Sequence, residues 1–157
     1  MHVVIEGPDA TGKSTLVSYL TKETNLRVQA SEGPEKYYGE MVERVKGYFD
    51  FPRMIFDRHP CVSQPIYAPF RNGERLPAEV IAKFYSMEPL FIYCRPNGSE
   101  RSHVVKGHDT AHHLAMMEKY HDEIDEQYDR WALRHATIIY RIGDDITLLC
   151  KMVRAWL

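Results

Sequence analysis

Eight residues constrain this chain more than any others: Gly7-Pro8-Asp9-Ala10-Thr11-Gly12-Lys13-Ser14, which fit the pattern GxxxxGK[ST] without a mismatch. The apolar run Val3-Val4-Ile5 stands just before them, and a helix-forming run at 13–23 follows directly. Strand, glycine-bearing loop and helix in succession bring a row of backbone N–H groups and the positive end of a helix to one point, where they can wrap phosphate oxygens. Gly7 and Gly12 allow dihedrals and a close approach that a side chain would block. In this reading Lys13 reaches the β and γ phosphates of a nucleoside triphosphate, and Ser14 ligates magnesium. Gly7, Asp9, Ala10, Thr11, Gly12 and Thr15 complete the ATP-binding segment. The plain alternative, a turn that matches by chance, does not account for the strand and helix on either side.

The rest of the chain repeats the same alternation. Period and punctuation predict strands at 2–6, 27–31, 53–58, 90–95 and 137–142, with helices at 13–23, 35–49, 78–87, 109–134 and 145–157. Gly33-Pro34 breaks the second unit before its helix, and Pro60, Pro65, Pro69 and Pro77 restrict 59–77 to turns and a short helix. Five strands separated by helices imply a parallel sheet covered on both faces. Its 157 residues suit one domain spanning 1–157, and no repeat, linker or low-complexity stretch divides them.

Bulk properties weigh against several classes. A formal net charge of -2 gives no footprint for a stable complex with nucleic acid. No stretch has the roughly 18 apolar residues of a membrane helix, and the N-terminus lacks the features of a signal peptide. Cys61, Cys94 and Cys150 are odd in number and far apart, which fits a reducing cytosol better than a disulfide framework or a zinc site.

A second group of candidates lies at Phe56-Asp57-Arg58, at the end of the third predicted strand, where parallel strands open onto their ligand crevice. Asp57 can hold magnesium through water or orient an acceptor oxygen, and the planar fork of Arg58 suits an acceptor phosphate. A surface ion pair at a strand end is the alternative.

Residues 6–15, together with Asp57-Arg58-His59, resemble the thymidylate kinase branch of the P-loop nucleoside monophosphate kinases, and in particular the short thymidylate kinase-like proteins of phage genomes. The resemblance implies a three-layer α/β P-loop NTPase fold with sheet order 2-3-1-4-5, a lid over the phosphates, a homodimer, and reversible transfer from ATP to a deoxynucleoside monophosphate. It places Asp9 near the acceptor sugar, Arg58 on the acceptor phosphate, and Asp57 near magnesium and the transferred group. Ser63 and Tyr67 match the serine and tyrosine that follow that strand, and Phe70 joins Tyr67 as a candidate to stack on the acceptor base. Ser31-Glu32-Gly33-Pro34 departs from the family, whose cellular members carry an arginine-bearing segment there.

The lid is expected at 95–108, where Arg95, Arg101 and Lys106 close over ATP and offset transition-state charge. Without the motif this segment reads as a solvated basic loop. His108, His112 and His113 have helical spacing but no further ligand set to hold zinc. The acidic run at 120–129 reads as an amphipathic helix with a wet face. Tyr37 and Tyr38 are stacking candidates that fit core packing equally well.

The resulting expectation is a cytoplasmic kinase that transfers the ATP γ-phosphate, with Mg2+, to a small nucleotide acceptor, a pyrimidine deoxynucleotide such as dTMP. The alternatives are a kinase of a hydroxymethylated pyrimidine, free or in DNA, and a nucleotide-binding switch module.

Overall fold

The computed structural model describes residues 1–70, 75–98 and 111–157. Its elements run β1 Val3–Glu6, α1 Lys13–Thr24, β2 Arg27–Ala30, α2 Glu40–Tyr48, β3 Met54–Asp57, α3 Pro60–Tyr67 with a 3₁₀ turn at Ala68–Phe70, α4 Ala78–Ser86, β4 Leu90–Cys94, α5 Ala111–His135, β5 Ile138–Tyr140 and α6 Ile146–Trp156. All the strands are parallel and lie in the order β2-β3-β1-β4-β5. The expected α/β architecture and strand order are therefore both present.

The sheet is apolar on both faces because every central strand is buried on both. On one face Val3, Ile5, Ile55, Leu90 and Ile92 pack under Leu16 and Leu20 of α1 and Leu149 and Val153 of α6. On the other, Val4, Phe56, Phe91 and Tyr93 meet Met41 and Val45 of α2, Cys61 and Val62 of α3, Phe84 of α4, and Ile124 and Tyr128 of α5. Alternate residues of one strand feed opposite layers, as the two-residue strand period requires. The register aligns Ile5 with Asp57 and Glu6 with Tyr93, so the ends of β1, β3 and β4 open on one rim.

One helix starts away from its sequence-based bound, and two others carry irregularities within them. Helix α2 begins five residues later than expected, at Glu40, because Gly39 takes φ 90 and Glu40 turns back to accept the Lys36 N–H. Tyr38, for which core packing was one of the two readings, is 90% exposed. Helix α3 accommodates Pro60 in its first turn, where a missing N–H costs nothing, and also carries Pro65 within it. Helix α5 begins near the expected position but is interrupted at Tyr120, with φ -120 and ψ 18. Asp145 caps α6 by accepting the Thr147 and Leu148 N–H groups. Among the described residues no helix is long and apolar enough to cross a membrane.

Candidate active site

The loop between β1 and α1 is shaped by its backbone. Gly7 has φ 145, and a Cβ placed there would lie 2.3 Å from the Cys94 carbonyl oxygen, so only glycine lets the end of β4 come this close. Ala10 (φ 58) and Gly12 (φ 81) take left-handed conformations, and the Thr11 hydroxyl ties the turn by donating to Pro8 O at 2.9 Å. Gly12 is the N-cap of α1 and supplies no side-chain acceptor, so no side chain caps the first-turn N–H groups. Lys13 folds back into the loop, donating to Pro8 O and standing 3.4 Å from Thr11 Oγ1. Burial pushes its ammonium down to about 7, aided by Arg58 and opposed by Asp9, Cys94 and Asp57. Ser14 and Thr15 are exposed on the first turn of α1.

Facing this loop is a pocket built around Arg58. The chain leaves β3 at Asp57, half-buried, and turns through Arg58 at φ 69, a left-handed conformation unusual for a residue with a Cβ. Two bonds hold that turn: the Arg58 N–H donates to Ile5 O at 3.0 Å, and the His59 N–H donates to Glu6 Oε1 at 2.6 Å. The guanidinium then spans three elements. Its Nη1 donates to Tyr128 Oη at 2.9 Å and Tyr67 Oη at 3.1 Å, and its Nη2 pairs with Asp9 Oδ1. Tyr128 in turn donates to Glu6 Oε2 at 3.1 Å.

Glu6 is fully buried. Burial pushes its carboxyl up to about 7, against the opposing pull of Arg58, the His59 N–H, the Tyr128 hydroxyl and Lys13. His59 is buried as well, stacked on Phe84 with centroids 3.8 Å apart, and its Nδ1 accepts the Cys61 N–H at 3.2 Å as the cap of α3. Burial and His2 hold it down at about 3, so it is neutral and structural.

Together, the structure brings Asp9, Lys13, Asp57, Arg58 and Tyr67 to one rim. Ser63 lies on α3, donating to His59 O at 3.2 Å, and Phe70 lies against Tyr120 with ring centroids 5.2 Å apart. Arg95 pairs with Asp129 of α5 at 2.9 Å, and Tyr93 donates to the other oxygen of that carboxylate at 2.7 Å. Arg101, Lys106 and most of the expected lid, with His108 and Asp109, lie outside the described residues, as do the side chains of His112 and His113. In the departing segment after β2, Glu32 accepts from Tyr48 Oη and Gln29 Nε2, each at 2.8 Å, and Arg44 of α2 donates to Gly33 O at 2.9 Å.

Sequence reasoning missed Glu6 and Tyr128. Glu6 was visible only as the charged end of an apolar run and the first residue of the family-like segment. Tyr128 belongs to the four-residue stripe Tyr120, Ile124, Tyr128, Ala132, which was obscured by the acids between its members.

No protein-family model and no curated protein sequence matches this chain. Solved structures do. The YorR protein of Bacillus subtilis, in complex with phosphorylated GDP, superposes with a TM-score of 0.70 at 20% identity, over 99% of this chain and 95% of that one. A deoxyadenosine kinase from M. mycoides, with dCMP and dCDP bound, gives 0.56 at 15% identity, over 99% and 97%. The thymidylate kinase of Ehrlichia chaffeensis gives 0.54 at 13% identity, over 100% and 98%. The chain has the three-layer α/β P-loop fold. Within it, the β1–α1 turn is the P-loop, and the matches extend over nearly the whole chain instead of the motif alone.

Proposed function

We propose that this P-loop protein is a nucleotide kinase that moves the γ-phosphoryl group of ATP onto a deoxynucleoside monophosphate, a pyrimidine such as dTMP. The observation that carries the reading is the juxtaposition of two anion-binding devices on one rim: the glycine-shaped loop ending in Lys13 and α1, and the Arg58 guanidinium across from it. One device suits a polyphosphate and the other a monophosphate, which is the pair of sites that direct transfer between two nucleotides needs.

In this reading the loop amides and the start of α1 hold the donor phosphates, and Lys13 carries positive charge to the oxygens of the transferred group. Arg58 presents a planar donor fork to the acceptor phosphate, while Asp9 and Tyr67 hold its plane. Ser14, exposed at the first turn of α1, and Asp57, half-buried at the end of β3, are a hydroxyl and a carboxylate of the kind Mg2+ accepts when most of its shell is water and phosphate, so the residues present fit that ion. Bound there, magnesium would neutralise phosphate charge. Phe70 and Tyr67 line the acceptor base, and Arg95 adds charge on the donor side.

A panel of ribo- and deoxynucleoside monophosphates incubated with Mg-ATP and Mg-GTP tests the proposal. Diphosphate formation from a pyrimidine deoxynucleotide is the expected result. Tight nucleotide binding without transfer to any acceptor would replace it with the switch reading.

A further inference from the structure

Arg58 is held by more than its ion pair. Its backbone sits at φ 69, fixed by the carbonyl of Ile5 on one side and by Glu6 through the His59 N–H on the other. Its side chain runs to Tyr128, whose single hydroxyl proton is directed to Glu6 Oε2, leaving the oxygen lone pairs to accept from Nη1. The two Glu6 oxygens therefore hold both ends of the same arginine: Oε1 fixes the peptide that follows it, and Oε2 fixes the phenol that receives its Nη1. Glu6 and Tyr128 are both fully buried. Tyr128 is itself packed parallel to Tyr93, with centroids 6.1 Å apart and planes 11° apart, so the hydroxyl cannot drift without moving a β4 ring.

We propose that Glu6 and Tyr128 are positioning residues that set the plane of the Arg58 guanidinium toward the acceptor phosphate, a role that rests on the kinase reading above. Neither side chain is expected to touch a nucleotide. They act by keeping the fork oriented before the acceptor arrives, so that the acceptor does not have to order a side chain as long and mobile as arginine. Asp9 on Nη2 and Tyr67 on Nη1 hold the fork from the loop and from α3, while Tyr128 ties it to Glu6, the carboxylate that also fixes the Arg58 backbone.

The test compares Tyr128→Phe, which removes one oxygen and keeps the packed ring, with wild type and with Glu6→Gln. In Tyr128→Phe the KM for the nucleotide monophosphate should rise about tenfold, the effect of one hydrogen bond to a charged group. The KM for ATP should stay unchanged, since Lys13 and the loop do not contact Tyr128. In an Arg58→Lys background, where no planar fork remains to be oriented, adding Tyr128→Phe should have almost no further effect.

Side-chain 15N NMR of Arg58 gives a readout independent of turnover. Rotation about its Cζ–Nε bond should be slow in the wild type and fast in Tyr128→Phe. If the two KM values move together, or if the double variant shows the two single effects simply adding, the positioning role is overturned and Tyr128 is a packing residue. Slow rotation in the wild type that Tyr128→Phe leaves unchanged overturns it too. Slow rotation released by Tyr128→Phe in a protein that phosphorylates no nucleotide keeps the positioning and removes the kinase reading. If Tyr128→Phe does not fold, Glu6→Gln carries the same kinetic and NMR comparisons.

Discussion

Between Gly7 and Ser14, eight consecutive residues make a binding loop from their own backbone, and the only long side chain in it, Lys13, folds back onto Pro8 and Thr11 of the same segment. A few ångströms of chain away in β1, Glu6 belongs to the opposite kind of construction. The pocket around Arg58 takes Glu6 from β1, Asp9 from the loop, Tyr67 from α3 and Tyr128 from α5, and none of these contacts exists until the sheet and both helices are in place. The loop is local and made of peptide groups; the pocket is tertiary and made of side chains. The first should tolerate changes elsewhere in the molecule, whereas the second should fail as a unit.

The largest expected effect would show that unity directly. Arg58→Ala leaves Glu6 and Asp9 without the cation they share, and should lower stability by about 3–5 kcal/mol, the usual result of breaking a buried charged network. Urea denaturation measures it, and a loss under about 1 kcal/mol would mean that the pocket is not cooperative. Lys13→Ala should act the other way round, cutting phosphoryl transfer by about 10²–10³-fold while the melting temperature holds and acceptor binding, measured by calorimetry, is retained.

The third prediction concerns pH. The Glu6 carboxyl is raised from 4.5 to about 7, so between those values the folded chain holds a proton that the unfolded chain has released. The stability this contributes is complete below pH 4.5 and is lost as pH climbs to 7. Glu6→Gln has no such loss, so its stability relative to wild type should improve by up to about 3 kcal/mol across that window. His59, which pulls the pH profile the opposite way in both proteins, cancels in the difference. A flat difference would mean that Arg58, the His59 N–H, the Tyr128 hydroxyl and Lys13 offset the burial of the carboxylate in full.

Gly7→Ala attacks the loop where its backbone lies against a distant element, the Cys94 carbonyl of β4. It should cost about 2 kcal/mol through strain at φ 145 and the 2.3 Å collision, read as a lowered thermal midpoint. Tyr67→Phe is the mildest change, removing one of two acceptors on Nη1. It should cost about 1 kcal/mol in the same measurement, and a larger loss would make α3 as important to the pocket as α5.

The same contrast explains what could be read from the residues in order. The loop, its strand and its helix were legible because their signal is contiguous, and β1, β3, β4 and β5 because each is a short apolar run. The start of α2 was misplaced because Gly39 and the Lys36-to-Glu40 bond favour a turn where helical spacing alone continues the helix back to 35. Arg58 could be singled out as a cation at a strand end, but its partners on α5 could not. Tyr128 lies seventy positions away, among Asp125, Glu126 and Asp129, and only the packing of Ile124 and Ala132 beside it shows which face of that helix turns inward.

The interruption at Tyr120 gives α5 a mechanical property that a continuous rod would lack. An unbroken helix of 25 residues transmits any tilt at its first turn along its whole length as leverage on its last. With one residue out of helical geometry the axis changes direction at Tyr120, so Met116 and Met117 before it and Ile124 and Tyr128 after it are all buried in the same apolar layer. Each half can therefore seat on the core without bending the other.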